Sequence, residues 1–132
     1  MKISAMNASM LAFVGDACYD LKIREMLANR GINQSKKFHQ LAVSYVSAQA
    51  QAQTLQQLIA TNYLTNEELA IVRRGRNVNS GSVPKNTNVS TYRQSTGFEA
   101  LIGFLYLTQQ YDRLDTVIAY CITIRKEDEK DV

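Results

Sequence analysis

The chain has no tryptophan, one proline, one histidine and two cysteines among its 132 residues. Each scarcity closes off a class of explanation. Two cysteines are too few for the disulfide framework that holds small secreted domains together, and they show no zinc-binding spacing. Cys18 and Cys121 lie in the apolar stretches DACYDL and IAYCITI, where a reduced thiol behaves as a small hydrophobe. The single histidine, His39, sits in KKFHQLA without a serine or cysteine constellation around it, so no catalytic triad is expected. There is no P-loop and no dinucleotide glycine motif. No segment approaches the ~20 apolar residues of a membrane span. MKISAMNASM lacks the continuous apolar core that a secretory signal needs. A cytoplasmic protein without a membrane partner is expected.

What is present is ordinary in amount and uneven in placement. Hydrophobic residues make up 45% and charged residues 20%, enough apolar surface for one core in a chain of this length. Residues 1–132 read as a single domain without a linker. The net charge of +3 hides an asymmetry. The stretch from Arg73 to Arg93, RRGRNVNSGSVPKNTNVSTYR, holds Arg73, Arg74, Arg76, Lys85 and Arg93 and no acid. The remainder has 10 basic and 12 acidic residues, a net −2. A positive field so localised points to phosphate as its partner.

Helical periodicity dominates the rest. Leu11, Val14, Cys18 and Leu21 recur at three- and four-residue steps and predict one buried face. Leu41, Tyr45, Ala48, Ala52, Leu55 and Ile59 predict one long helix from Lys36 onward, with Gln49, Gln51, Gln53, Gln56 and Gln57 on its polar outer face. Thr65 and Glu68 form a capping box opening a short helix through Leu69, Ile71 and Val72 that ends at Gly75. The basic stretch then reads as a loop containing Gly75, Gly81 and Pro84. Helix resumes near Tyr92 and carries FEALIGFLYL; a last helix after Asp112 turns Leu114, Val117, Ile118 and Cys121 inward. The charged tail RKEDEKDV is expected to fray. No segment reads as a strand, and the fold class is all-α.

Two carboxylates interrupt this pattern. Asp16 follows Gly15 inside LAFVGDACYDL, and Glu99 lies between Phe98 and Ala100 at the head of the most apolar run of its helix. A lone carboxylate taken out of water costs several kcal/mol or neutralises. Two of them converging would oppose each other's ionisation, whereas a divalent cation reverses that balance. The plainer alternative is a boundary acid paired with a base or a cap. Composition alone does not pair Asp16 with Glu99.

Taken together, these stretches are recognisable. FVGDACYDL resembles the signature of the ribonuclease III endonuclease domain, and FEALIGFLYL resembles its second motif, in the same order and helical context. SYVSAQAQAQ resembles the family's intervening helix, and RRGRN…PKN…YRQSTGFEALIG looks most like the small bacterial Mini-III branch. The resemblance implies the helical bundle of that endonuclease domain, with Asp16 and Glu99 as catalytic, metal-binding acids and Phe13 as an aromatic packed across a homodimer interface. The chain also departs from the family pattern. Two further acids of the first motif are replaced by Ser9 and Ala12, and an Asp three residues before the Glu is replaced by Thr96.

The implied activity is an Mg²⁺-dependent endoribonuclease, with Mn²⁺ as a substitute, that cuts double-stranded RNA and leaves 5′-phosphate ends. Precursor large-subunit ribosomal RNA is the expected substrate, with a ribosomal protein as a further candidate partner. No double-stranded-RNA-binding domain is expected. The basic stretch would serve instead, with Arg73, Arg74, Arg76, Lys85 and Arg93 on phosphates and Asn77 and Asn86 as neutral donors. The rival reading is a non-catalytic helical module that binds RNA or the ribosome, in which three lost acids reflect lost chemistry. A metal-dependent phosphohydrolase for nucleotides is a third.

Overall fold

The structure, a computed structural model, describes residues 5–78 and 87–129 together with Lys2 and Val83. The described residues form six helices: α1 (Ala8–Asn29), α2 (Ser35–Val46), α3 (Ala48–Ala60), α4 (Asn66–Arg76), α5 (Val89–Leu107) and α6 (Tyr111–Lys126). Among the described residues there is no strand, as expected. Side-chain caps start four of the helices. Asn7 accepts from the Ser9 N–H at 2.7 Å, Ser47 from Ala50 at 3.1 Å, Asn88 from Thr91 at 2.7 Å, and Thr65 with Glu68 closes the expected box.

Helix α5 is the centre of the bundle. From Phe98 to Leu105 only Glu99 is not fully buried, so the segment is enclosed everywhere but at this acid, as the apolar run that follows it demands. Helices α1, α3, α4 and α6 pack around it. The closest approach is with α1. A Cβ on Gly15 would lie 1.7 Å from the Glu99 carbonyl oxygen, and one on Gly103 would lie 1.8 Å from that of Leu11. The two backbones therefore touch where they cross, and only glycine at both positions permits it.

That crossing corrects the expected face of α1. The buried row is Ala8, Leu11, Ala12, Gly15, Tyr19, Ile23 and Leu27. Val14 and Cys18 are only half-buried, and Leu21 is 66% exposed. Since Gly15 must face α5, the residues one turn away on its side go inward with it. The single long helix predicted from Lys36 onward is also two helices. Ser47, at φ −62° and ψ 155°, ends α2 and caps α3. The break resets the helical phase, so Ala50, Gln51, Thr54, Leu55 and Leu58 are buried while Ile59 is exposed. Helix α4 runs past Gly75 to Arg76, so Arg73, Arg74 and Arg76 belong to its last turn and not to a loop. There the helix dipole favours them. Helix α6 buries Leu114, Val117, Ile118 and Cys121 as predicted.

Two polar clusters tie the ends of the bundle together. Glu129 accepts hydrogen bonds from Arg30, at 2.8 Å, and from the Tyr45 hydroxyl, so the tail is held this far and does not fray at Lys126. Glu68 is 3% exposed and receives Arg113 Nε at 2.8 Å and Nη2 at 2.7 Å, while its Oε1 also caps the Thr65 N–H at 2.9 Å. Burial alone would raise the Glu68 carboxyl; the Arg113 and Thr65 hydrogen bonds outweigh it and hold the group below its usual value. The stability this pair contributes is present above the ordinary carboxylate range and lost as pH falls through the lowered value. Removing one partner of a buried pair costs roughly 3–5 kcal/mol. Arg113→Met should therefore lose about 3 kcal/mol in urea unfolding at neutral pH, and the loss should shrink in acid, where Glu68 is neutral.

Candidate active site

Asp16 on α1 and Glu99 on α5 meet at the rim of the glycine crossing. Gly15 immediately precedes Asp16, and Gly103 lies one turn after Glu99; the backbone contact sets the two carboxyls side by side. Both line a cleft of about 220 Å³ whose other walls include Ser9, Ala12, Phe13, Gly75, Tyr92, Arg93 and Thr96. Asp16 is exposed and Glu99 half-buried. Burial pushes the Glu99 carboxyl up to about 9, helped by its hydrogen bond to Asp16 and by the Asp16 charge; an N–H of Gln51 opposes this. Without a cation, Glu99 keeps its proton at neutral pH.

A divalent cation suits this donor set. The donors are oxygens, they carry negative charge, and their mutual repulsion is what a bound cation would cancel. Mg²⁺ takes one or two carboxylates and completes its octahedron with water and phosphate. The three positions where the family resemblance leads one to look for further acids, Ser9, Ala12 and Thr96, all line the same cleft. They bring no charge, and the Thr96 hydroxyl is turned to the Tyr92 carbonyl at 2.9 Å. Among the described residues no cluster of three or more histidine, cysteine or acidic side chains could hold a metal. The pair stands by itself.

The predicted basic residues are not all in one place. Arg93 lines the cleft beside the acids. Arg73 and Asn77 are exposed at the end of α4. Arg74 donates from Nη2 to the Met6 carbonyl at 2.5 Å, which ties α4 to the segment before α1. Arg76 lies along a different groove, with Gln49, Gln53 and Gln94. Lys85 and Asn86 fall outside the described residues. Phe13 is 73% exposed at the cleft. His39 is exposed and packs on Phe38, with ring centroids 4.8 Å apart. Gln51, expected on the outer face of its helix, belongs to the site: it is 2% exposed and its Nε2 lies 3.4 Å from Glu99 Oε2. Its only sequence signal is Ser47 as the cap of a second helix, and serine is too common for that to stand out.

The raised Glu99 value has a measurable consequence. The folded, metal-free protein keeps a proton on Glu99 that the unfolded chain releases in the ordinary carboxyl range. Stability is therefore lost as pH rises from that range towards about 9. Glu99→Gln should raise the Tm of metal-free protein by a few degrees at about pH 8, the equivalent of about 1 kcal/mol, and change it little near pH 4. Calorimetry in a chelator would read this directly.

Comparison with known proteins agrees with this geometry. Residues 9–110 match the family model of the ribonuclease III domain. Mini-ribonuclease 3 of Enterococcus faecalis is 46% identical over 117 residues, 89% of each chain. The Mini-ribonuclease 3 proteins of Streptococcus pneumoniae and Staphylococcus aureus are 43% and 42% identical, covering 91% and 95% of this chain and 94% and 93% of theirs. An X-ray crystal structure of a Fusobacterium nucleatum protein superposes with a TM-score of 0.79 at 28% identity, over 93% of this chain and 95% of that one. With its two motif acids in one cleft of an all-α bundle, the chain belongs to the ribonuclease III family of endoribonucleases, in the Mini-ribonuclease 3 branch.

Proposed function

We propose that the protein cleaves double-stranded RNA with a divalent cation held by Asp16 and Glu99, Mg²⁺ in the cell and Mn²⁺ as a substitute. The observation that carries this reading is the convergence of the two carboxyls in one cleft, with Glu99 protonated where it would otherwise be charged. Bound there, the cation would supply charge neutralisation at the scissile phosphate and acidify a nucleophilic water. The chain's own residues do the rest. Asp16 and Glu99 would hold the ion, Glu99 giving up its proton to do so, and Arg93 offers a positive charge to a phosphate entering the cleft. Arg73, Arg76 and Asn77, with Lys85 and Asn86, extend the phosphate contacts along the duplex. Arg74 contributes charge from its tether on Met6. Recognition rests on backbone and shape, because the major groove of A-form RNA is too narrow for side chains to read. The products carry 5′-phosphate and 3′-hydroxyl ends.

The same reading assigns a homodimer, one site for each strand of the duplex. Helix α1 supports it. Met10, Phe13 and Leu21 are 47%, 73% and 66% exposed, and with exposed Ala17 they form an apolar stripe at helical spacing on the face away from α5. A stripe of this kind is costly in water unless a partner covers it. Precursor large-subunit ribosomal RNA in the cytoplasm is the proposed natural substrate. No helix among the described residues is long and apolar enough to cross a membrane.

The absence of charge at Ser9, Ala12 and Thr96 favours one competing reading, a non-catalytic RNA-binding module. An assay on duplex RNA, single-stranded RNA and a small phosphodiester, with and without Mg²⁺, separates the two. The expected result is cleavage of the duplex only, dependent on Mg²⁺. Asp16→Asn should lower the rate roughly a thousandfold, as several kcal/mol of lost transition-state stabilisation requires, and leave duplex binding intact. An Asp16→Asn enzyme of undiminished rate would refute the assignment. Phe13→Asp should convert a dimer to a monomer in sedimentation velocity. A wild-type protein already monomeric at micromolar concentration would remove the dimer from the proposal.

A further inference from the structure

Helix α3 carries glutamines at positions 49, 51, 53, 56 and 57, and four of them face solvent. Gln51 is the exception, buried against α5 with 2% exposure. Its surroundings do not repay its burial as a packing residue. Nε2 donates to the Val46 carbonyl at 3.3 Å and to Glu99 Oε2 at 3.4 Å, both long, and Oε1 has no hydrogen-bond partner. A buried amide with an unsatisfied acceptor is less favourable than an apolar side chain of the same shape. Packing alone would select methionine or leucine here.

The orientation of the amide explains what it does. A backbone carbonyl can only accept, so the Val46 oxygen keeps the nitrogen end of Gln51 turned towards it. One N–H is occupied there, and the other faces Glu99. The donor is neutral, which matters at this position. A lysine or arginine would hold the carboxylate equally well but would cancel the charge that a cation needs. The amide supports the ionised carboxylate and leaves its charge in place. Orientation also matters more here than in a site rich in ligands. With Ser9, Ala12 and Thr96 in the cleft instead of acids, no third carboxylate fixes an ion if Glu99 swings away, and Glu99 has three rotatable bonds of its own.

We infer that Gln51 is a positioning residue for the Asp16–Glu99 pair, anchoring one oxygen of Glu99 from outside the cleft so that the other is presented to the cation. This inference rests on the reading in which those two acids bind a divalent ion. It assigns to α3 a task distinct from the solvent-facing glutamines of the same helix, and it accounts for the cost of an orphaned acceptor in the core.

The test is Mn²⁺ binding to the full chain without RNA, followed by the paramagnetic resonance of the free ion. Unfolding temperature and duplex affinity in a chelator are measured in parallel. Gln51→Met conserves volume and removes both hydrogen bonds. It should leave the Tm equal or higher and duplex affinity within about twofold. It should weaken Mn²⁺ binding by about tenfold or more, the usual effect of losing a ligand's supporting partner. The Mg²⁺ needed for half-maximal cleavage should rise in step, with KM for RNA unchanged. Gln51→Leu serves if the methionine variant does not fold. In wild-type protein, the Gln51 side-chain amide resonances should shift on adding Mg²⁺ and should not do so in Asp16→Asn. Unaltered Mn²⁺ affinity in a folded Gln51 variant, or amide resonances indifferent to Mg²⁺, would overturn the inference while Asp16-dependent Mn²⁺ binding keeps the metal reading standing. If Asp16→Asn binds Mn²⁺ as wild type does, the metal reading itself fails and takes this role of Gln51 with it.

Discussion

The molecule depends on one contact without side chains, the crossing of α1 and α5 at Gly15 and Gly103. Each glycine faces a carbonyl of the opposite helix so closely that a methyl group would overlap it, at 1.7 Å in one direction and 1.8 Å in the other. Such a crossing lets the two backbones make van der Waals and weak Cα–H···O contact directly. It leaves no space between the helices that side-chain motion could alter. The backbone positions from which Asp16 and Glu99 project are thereby fixed, a rigid base for a site with few groups to hold it.

Rigidity of this kind has a cost in the metal-free protein. Two carboxyls are brought together at the edge of the core, and one of them holds its proton up to about pH 9. A chain selected for stability alone would place an amide or an apolar side chain there. The rest of the bundle offsets the cost with well-satisfied polar contacts elsewhere. Glu68 is bracketed by Arg113 and the Thr65 amide, and Arg125, 6% exposed, bonds the Ser44 carbonyl at 3.1 Å and Gln53 Oε1 at 2.8 Å. The contrast is chemical. The structural acid is buried with its cation already built in, while Glu99 of the cleft is half-buried beside a second acid.

The placement of positive charge follows the same separation. Arg73, Arg74 and Arg76 cluster in sequence, but the helical turn distributes them: one outward, one to the Met6 carbonyl and one along the groove of α3 glutamines. Arg93, a turn and a half before Glu99 on α5, is the basic residue that shares the cleft with the acids. A run of like charges on a helix is a fan, and only its geometry tells which member faces a given ligand.

The amino-acid pattern by itself determined whatever is decided within a turn or two of chain. The all-α class, the Thr65–Glu68 cap, the inward row of α6 and the two anomalous acids were legible because hydrogen-bond capping and amphipathic period are short-range properties. Tertiary structure alone decided the phase of the helices. Ser47 is an ordinary residue whose extended backbone matters only because α2 packs on α1 and α3 on α5, and that break turns Gln51 from the predicted outer face into the core. In α1 the inward row was set by Gly15 meeting Gly103, two residues far apart in sequence, and not by the spacing of leucines. Periodicity says that a helix has a buried side, but which residues occupy it depends on the partner helix, because burial is a property of two surfaces.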